Sequence, residues 1–222
     1  MSGRRGLLIF DLDSTLLDTL DDLASSVNRA LARRGLPARS REEIRDFVGD
    51  GVRLLVRRSL PPEAGPETQQ AVFADFAADY GEHCAEQTRP YPGIPELLAE
   101  TQRLGFAAAV VSNKPQREAA ALCRRFFPGL LDCVAGERPG CARKPAPDLP
   151  RLVLRELGFS PEQACYIGDS QVDIATARSA GLACVSVCWG FRRKEQLLAA
   201  GAELIAEDPP ALLALLEAWA GE

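Results

Sequence analysis

Two aspartates with one residue between them, Asp11 and Asp13, are the first side chains in this sequence that could do chemistry together. On a regular strand, residues two apart leave on the same side, so the pair presents two neighbouring carboxylates. A third, Asp169, lies far along the chain in the cluster Gly168-Asp169-Ser170. Carboxylates brought that close repel one another, and the arrangement is tolerable with a bound cation or a raised pKa. Hard oxygen donors without histidine suit Mg²⁺, which takes few carboxylates and keeps positions for water and phosphate oxygens. Two further clusters carry positive charge and neutral donors: Ser112-Asn113-Lys114, and Lys144 within Arg143-Lys144-Pro145-Ala146-Pro147.

This inventory fits attack on a phosphate monoester. With Mg²⁺ and Lys144 set against Asp11, Asp169 and a phosphate dianion, the site is within about one charge of neutral if Asp13 is protonated; helix N-termini absorb the remainder. The expected roles follow from that balance. Asp11 attacks phosphorus and becomes an aspartyl-phosphate. Asp13, kept protonated by its acidic neighbours, gives its proton to the leaving oxygen and then takes one from the hydrolytic water. Ser112, the Asn113 amide and Lys144 stabilise the equatorial oxygens of the transition state.

Residues so far apart in sequence need a fold that gathers them. Short apolar runs at Leu7 to Phe10, Ala107 to Val111, Cys133 to Ala135, Cys165 to Ile167 and Ala183 to Val187, with a weaker one at Leu204-Ile205, alternate with helical patterns. That alternation predicts an α/β fold, a Rossmann-like parallel sheet with helices on both faces. Helices are read over Pro95 to Leu104, Asp148 to Leu157 and about Val172 to Ala180, each ending at a glycine. In such a sheet all strand C-termini share one rim, where ligands bind. Each polar cluster follows one of these strands, so all should meet there.

One interval breaks the alternation. From Asp18 to about Arg89 only helical patterns occur, including a capping box at Ser40-Arg41-Glu42-Glu43. The chain therefore divides into a catalytic core, residues 1–17 and 88–222, and an inserted α-helical cap, residues 18–87. The cap is expected to close by hinges near Asp18 to Leu20 and Cys84 to Tyr91.

Composition narrows the function classes. The 222 residues carry 26 Lys plus Arg against 31 Asp plus Glu, a net charge of −5, and apolar content of 46%. A mildly acidic surface has no general attraction to nucleic acid or anionic membranes. A lone histidine, His83, excludes a His-pair metal site. Seven cysteines without a C-x-x-C pair read as reduced thiols of a cytoplasmic protein. The apolar run before Asp11 is too short for a signal peptide or a membrane span. The expected partner is a small phosphorylated metabolite, and the expected state a monomer or homodimer.

The segments FDLDSTLLDT, VVSN, RKPAPDLP and GDSQVDIATA, in this order, closely resemble the four motifs of the haloacid dehalogenase-like hydrolase superfamily. The resemblance spans essentially the whole chain. It implies that Asp11 is the nucleophile and that Mg²⁺ is held by the Asp11 side chain, the Asp13 backbone carbonyl and Asp169, with Asp173 supporting the ion from behind these ligands. Asp13 stands where the family's phosphatases have an acid that its true dehalogenases lack. Within the helical interval, Phe47-Val48-Gly49-Asp50-Gly51-Val52-Arg53-Leu54-Leu55 and Arg58-Ser59-Leu60 are similar to the cap of phosphoglycolate phosphatases, which makes 2-phosphoglycolate the leading substrate. Ser14 departs from the family's usual glycine. On the same scaffold, a pyrophosphatase, a nucleotidase or a β-phosphoglucomutase-like mutase are the rival activities. A receiver-like phospho-accepting module is the rival of another class.

Several of these residues also have plainer readings. Ser112 suits the cap of a helix beginning near Pro115, and Asp18 suits the N-cap of the first inserted helix. Arg53 is a candidate for a substrate carboxylate or part of a solvated face. Thr15 is expected to fix the loop after Asp13 through its hydroxyl, and His83 to be structural.

Overall fold

The apolar runs become strands and the periodic segments helices in a computed structural model that describes residues 4–221. The chain opens with β1 (Gly6–Phe10); the short β2 (Leu17–Asp18) leads to α1 (Leu20–Ala32), α2 (Arg41–Phe47), α3 (Val52–Ser59) and α4 (Pro66–His83), followed by β3 (Arg89–Pro90). Alternation then resumes with α5 (Ile94–Arg103), β4 (Phe106–Pro115), α6 (Gln116–Phe126), β5 (Cys133–Glu137), α7 (Asp148–Leu157) and β6 (Ala164–Gly168). The last elements are α8 (Gln171–Ala180), β7 (Ala183–Val187), α9 (Lys194–Ala199), β8 (Leu204–Ala206) and α10 (Pro209–Trp219). The described chain separates into two compact units, one formed by residues up to Leu17 together with those from Pro90, the other by Asp18–Arg89.

In the first unit a six-stranded sheet has the order β5-β4-β1-β6-β7-β8, and its neighbouring strands pair in parallel. All five residues of β1 are buried, which is why this strand reads as an uninterrupted apolar run rather than an alternating one. Leu7 and Ile9 join Ala107, Ala109, Tyr166, Leu149 and Val153 in one apolar cluster between the sheet and α7 and α8. Complete burial of a Leu or Ile side chain is worth about 1.5–3 kcal/mol, so this layer anchors the ends of β1, β4 and β6.

The strand β4 runs beyond Val111 to Pro115, where Pro115 pairs with Glu137 after a register irregularity. Ser112, Asn113 and Lys114 therefore belong to the end of a strand, not to the loop after it. Continued pairing with β5 is what extends the strand past its apolar part.

The second unit is helical apart from its short terminal strand residues. Leu20, Leu23, Val27 and Leu31 of α1 and Val72, Phe76 and Tyr80 of α4 are buried, and Phe76 stacks on Tyr80 with ring centroids 5.4 Å apart. Arg29 grips Asp79 with both carboxylate oxygens at 2.9 and 2.8 Å from Nε. The buried Asp22 accepts from Gln87 N and from both the N–H and hydroxyl of Thr88, at 2.9, 2.9 and 2.7 Å, and so fastens the outgoing chain to α1. The Ser40–Glu43 capping box is formed. The first helix starts one residue later than expected: Thr19 occupies the N-cap position, while Asp18 Oδ1 accepts from Leu20 N at 3.2 Å.

All seven cysteines are free thiols, with Cys84, Cys123 and Cys165 buried. Among the described residues no helix is long and apolar enough to cross a membrane. His83 Nδ1 contacts Glu86 Oε1 at 2.8 Å on the helical unit.

Candidate active site

Connections from β1 run to β4 on one side, while those from β6 run to β7 on the other, so the sheet changes direction between β1 and β6. A crevice at the carboxyl ends of the strands is expected there. Asp11 leaves β1 at this point, its N–H bonded to Ile167 O at 2.8 Å, and Asp169 follows β6. Carboxylate oxygens of Asp11, Asp169 and Asp173 lie within 4.8 Å of one another, all from buried residues. Lys144 reaches into the group, with Nζ 2.8 Å from Asp11 Oδ1 and 2.8 Å from Asp173 Oδ1. Its third contact is the Tyr166 hydroxyl at 3.2 Å.

Close approach of backbone makes this crowding possible. A Cβ on Gly168 would sit 2.4 Å from Asp173 Cγ, and one on Gly190 would sit 2.4 Å from Asp169 Cβ. No larger residue fits at either position without moving a carboxylate. Asp173 is held besides by Ser170, through the backbone N–H at 3.1 Å and the hydroxyl at 2.6 Å, in the capping box of α8.

The electrostatics are those of a site short of positive charge. Burial pushes the Asp11 carboxyl well above its usual range while the Lys144 ammonium pulls it down. Burial works against the Lys144 charge as well, yet Asp11 and Asp173 hold its ammonium well above the usual lysine range. Burial and then the charge of Asp173 push Asp169 up to about 6, against hydrogen bonds from Ser14 and the Phe191 N–H. One ammonium serves Asp11 and Asp173, and the two hydrogen-bond donors to Asp169 are neutral. A hard divalent cation fits this all-oxygen donor set.

Two expectations require correction. Asp13 was expected to be surrounded by acids, but its ionic contact is with Lys114, whose Nζ lies 3.0 Å from Asp13 Oδ1 and whose side chain is 1% exposed. The Asn113 carboxamide spans the backbone of Lys144, donating to its O at 3.1 Å and accepting from its N at 2.8 Å. It thereby ties the loop bearing Lys144 to the end of β4. Thr15 does not fix its loop through the hydroxyl, which is buried without a hydrogen-bond partner; its carbonyl does so, accepting from Trp189 Nε1 at 2.9 Å.

Ser112 is buried beside these groups, and its Oγ accepts from Lys114 N at 3.1 Å, so it caps a turn of its own strand and not the following helix. Because Phe10 pairs with Val110, Ser112 stands level with the segment that carries Asp11 and Asp13. Arg53 belongs to the helical unit, where its guanidinium lies 4.2 Å from the centroid of Phe73.

Four participants were not assigned from the sequence: Lys114, the Ser14 hydroxyl, the Trp189 indole and the Phe191 N–H. Lys114 carried a usable signal, since it stands in the same polar cluster as Ser112 at the end of an apolar strand run. The aromatic–glycine–aromatic run Trp189-Gly190-Phe191, one residue after β7, was a weaker one.

A parallel sheet with an aspartate, a lysine and a carboxylate cluster at its switch point defines the class: an α/β enzyme equipped for phosphoryl transfer. The model of the haloacid dehalogenase-like hydrolases matches residues 8–187, and the chain belongs to that family. An N-acetylmuramic acid 6-phosphate phosphatase of Pseudomonas aeruginosa is 34% identical, covering 95% of this chain and 94% of that protein. A phosphoglycolate phosphatase of Haemophilus influenzae is 33% identical, covering 97% of this chain and 100% of its own. The crystal structure of a candidate phosphoglycolate phosphatase from Lactobacillus delbrueckii subsp. bulgaricus superimposes with a TM-score of 0.91 at 33% identity, over 99% of this chain and 100% of that one. The protein is thus phosphoglycolate phosphatase-like in family and a phosphoric monoester hydrolase acting on a small phosphorylated substrate, which sets aside the receiver-like module.

Proposed function

We propose that this chain hydrolyses 2-phosphoglycolate to glycolate and phosphate in a Mg²⁺-dependent reaction through an aspartyl-phosphate at Asp11. The observation that carries the reading is the contact of one buried ammonium, Lys144, with Asp11 inside a cluster of three buried carboxylates. The Asp11 side chain, the Asp13 backbone carbonyl and Asp169 would hold the ion, with Asp173 behind them. When bound, Mg²⁺ neutralises the acidic cluster and shields the attacking carboxylate from an anionic phosphate.

The chain's own residues do the rest. Asp11 Oδ attacks phosphorus in line with the leaving oxygen. Asp13 donates a proton to that oxygen, and the Lys114 ammonium is poised to stabilise the carboxylate left behind. The same carboxylate then takes a proton from the water that attacks phosphorus and frees Asp11. Lys144 and Ser112 face the equatorial oxygens, and Asn113 positions the Lys144 loop. The helical unit Asp18–Arg89 is the cap that selects the substrate, with Arg53 a candidate partner for a substrate carboxylate.

The test is phosphate release over a panel of 2-phosphoglycolate, N-acetylmuramic acid 6-phosphate, nucleoside monophosphates, sugar phosphates and pyrophosphate, each with Mg²⁺ and with a chelator. The expected result is fastest turnover of 2-phosphoglycolate, lost in chelator and restored by Mg²⁺. Faster turnover of another member reassigns the substrate. Isomerised sugar phosphate without free phosphate would mark a mutase.

A further inference from the structure

Ser14 has a backbone φ of 67° and is the non-glycine residue in the left-handed region among those described. That region is disfavoured for a residue with a Cβ and is usually left to glycine. The residue is nevertheless 4% exposed, so its side chain is packed inside the site. Its Oγ lies 2.6 Å from Asp169 Oδ1 and also contacts the Asp13 carbonyl oxygen. A hydroxyl has one proton to give, and the carboxylate is the stronger acceptor. Asp169 Oδ2 in turn accepts from Phe191 N at 2.7 Å. Both oxygens of this carboxylate are thus fixed by a donor from a different loop.

We infer that Ser14 is a positioning residue for the metal: its hydroxyl orients Asp169 beside the Asp13 carbonyl before the ion arrives, at the expense of local backbone strain. The inference rests on the proposed Mg²⁺ site. Each carboxylate oxygen can accept more than one bond, so Asp169 can bind an ion while keeping the Ser14 contact. Losing such an outer partner typically weakens metal binding about 10–100-fold.

Two substitutions separate the hydroxyl from the strain. Ser14→Ala removes the hydroxyl and keeps the Cβ; Ser14→Gly removes both. Mg²⁺ is titrated calorimetrically into the chelator-treated full chain, and thermal unfolding is followed without metal. The expected result is a Kd for Mg²⁺ raised about tenfold in both variants, with metal-free Ser14→Gly melting above metal-free Ser14→Ala. A Kd in either folded variant equal to or tighter than that of the parent overturns the inference, as does Ser14→Gly melting below Ser14→Ala. If Ser14→Ala does not fold, the Ser14→Gly Kd decides. A parent chain that takes up no Mg²⁺ overturns the proposed metal dependence and this inference with it, whereas equal binding by parent and variants overturns this inference alone.

Discussion

Lys114 Nζ lies 3.0 Å from Asp13 Oδ1, so the two aspartates of the Asp11-Leu12-Asp13 segment meet different lysines. Lys144 serves the attacking carboxylate and Lys114 the proposed proton donor. If Lys114 acts through Asp13, Lys114→Met lowers kcat about 10–100-fold, while Asp13→Asn lowers it about 10²–10⁴-fold. In the Asp13→Asn background the Lys114 substitution then has little further effect, a coupling that a double-mutant cycle measures. Independent, additive losses would place Lys114 elsewhere in the reaction.

Removing the other lysine leaves two buried acids without their shared ammonium. Lys144→Met should cost on the order of 3 kcal/mol of stability in chelator at neutral pH, since breaking a buried pair leaves uncompensated charge. Burial already pushes the Asp11 carboxyl upward, and without Lys144 only the Leu12 N–H, 2.7 Å from Asp11 Oδ1, opposes that push. A raised carboxyl pKa means the folded state binds a proton more readily than the unfolded chain, so stability is gained as pH falls. The deficit of Lys144→Met relative to the parent therefore shrinks on acidification. Urea unfolding at several pH values measures it, and a deficit that grows with acidity contradicts the charge assignment.

Within the helical unit, Asp22 accepts three hydrogen bonds from Gln87 and Thr88. Bonds to a charged group contribute about 1.5–3 kcal/mol each before losses overlap, so Asp22→Ala should lower stability by about 3 kcal/mol. Thermal unfolding reads the loss, which is expected to be the same with and without Mg²⁺.

Burial pushes the thiols of Cys123, Cys133 and Cys184 up to about 12. The thiolate is the reactive form, so these side chains stay neutral over the working pH range. Alkylation with iodoacetamide near pH 8 should be on the order of 10³-fold slower in the folded chain than in denaturant. Peptide mapping after timed quenching checks this; rapid native labelling at Cys123 or Cys184 would show that the surrounding core opens.

The elements that position the site were legible because their residues obey strong local rules. Leu7 to Phe10 is apolar throughout, as a strand buried on both faces must be, and α7 and α8 stop at Gly158 and Gly181 as read. Asp11, Lys144 and Asp169 were legible as partners because a parallel sheet brings its strand ends to one rim. Side-chain direction was not. Nothing in the sequence announces that the Asn113 carboxamide spans the Lys144 backbone, thirty-one positions away. The Ser14 contact depends on a positive φ that sequence rules assign to glycine. The part played by Trp189 and Phe191 depends on how the loop after β7 folds back over residues more than a hundred positions earlier or some twenty positions before it, which no local pattern encodes.

The central claim is that Asp11 is the nucleophile, and Asp11→Asn tests it most directly. Phosphate release from 2-phosphoglycolate with saturating Mg²⁺ is measured for the parent and the variant, with circular dichroism and thermal unfolding to establish that both are folded. The account predicts a folded Asp11→Asn protein whose turnover is reduced on the order of 10⁴-fold or more. Turnover within about tenfold of the parent would contradict the nucleophile assignment and the aspartyl-phosphate with it.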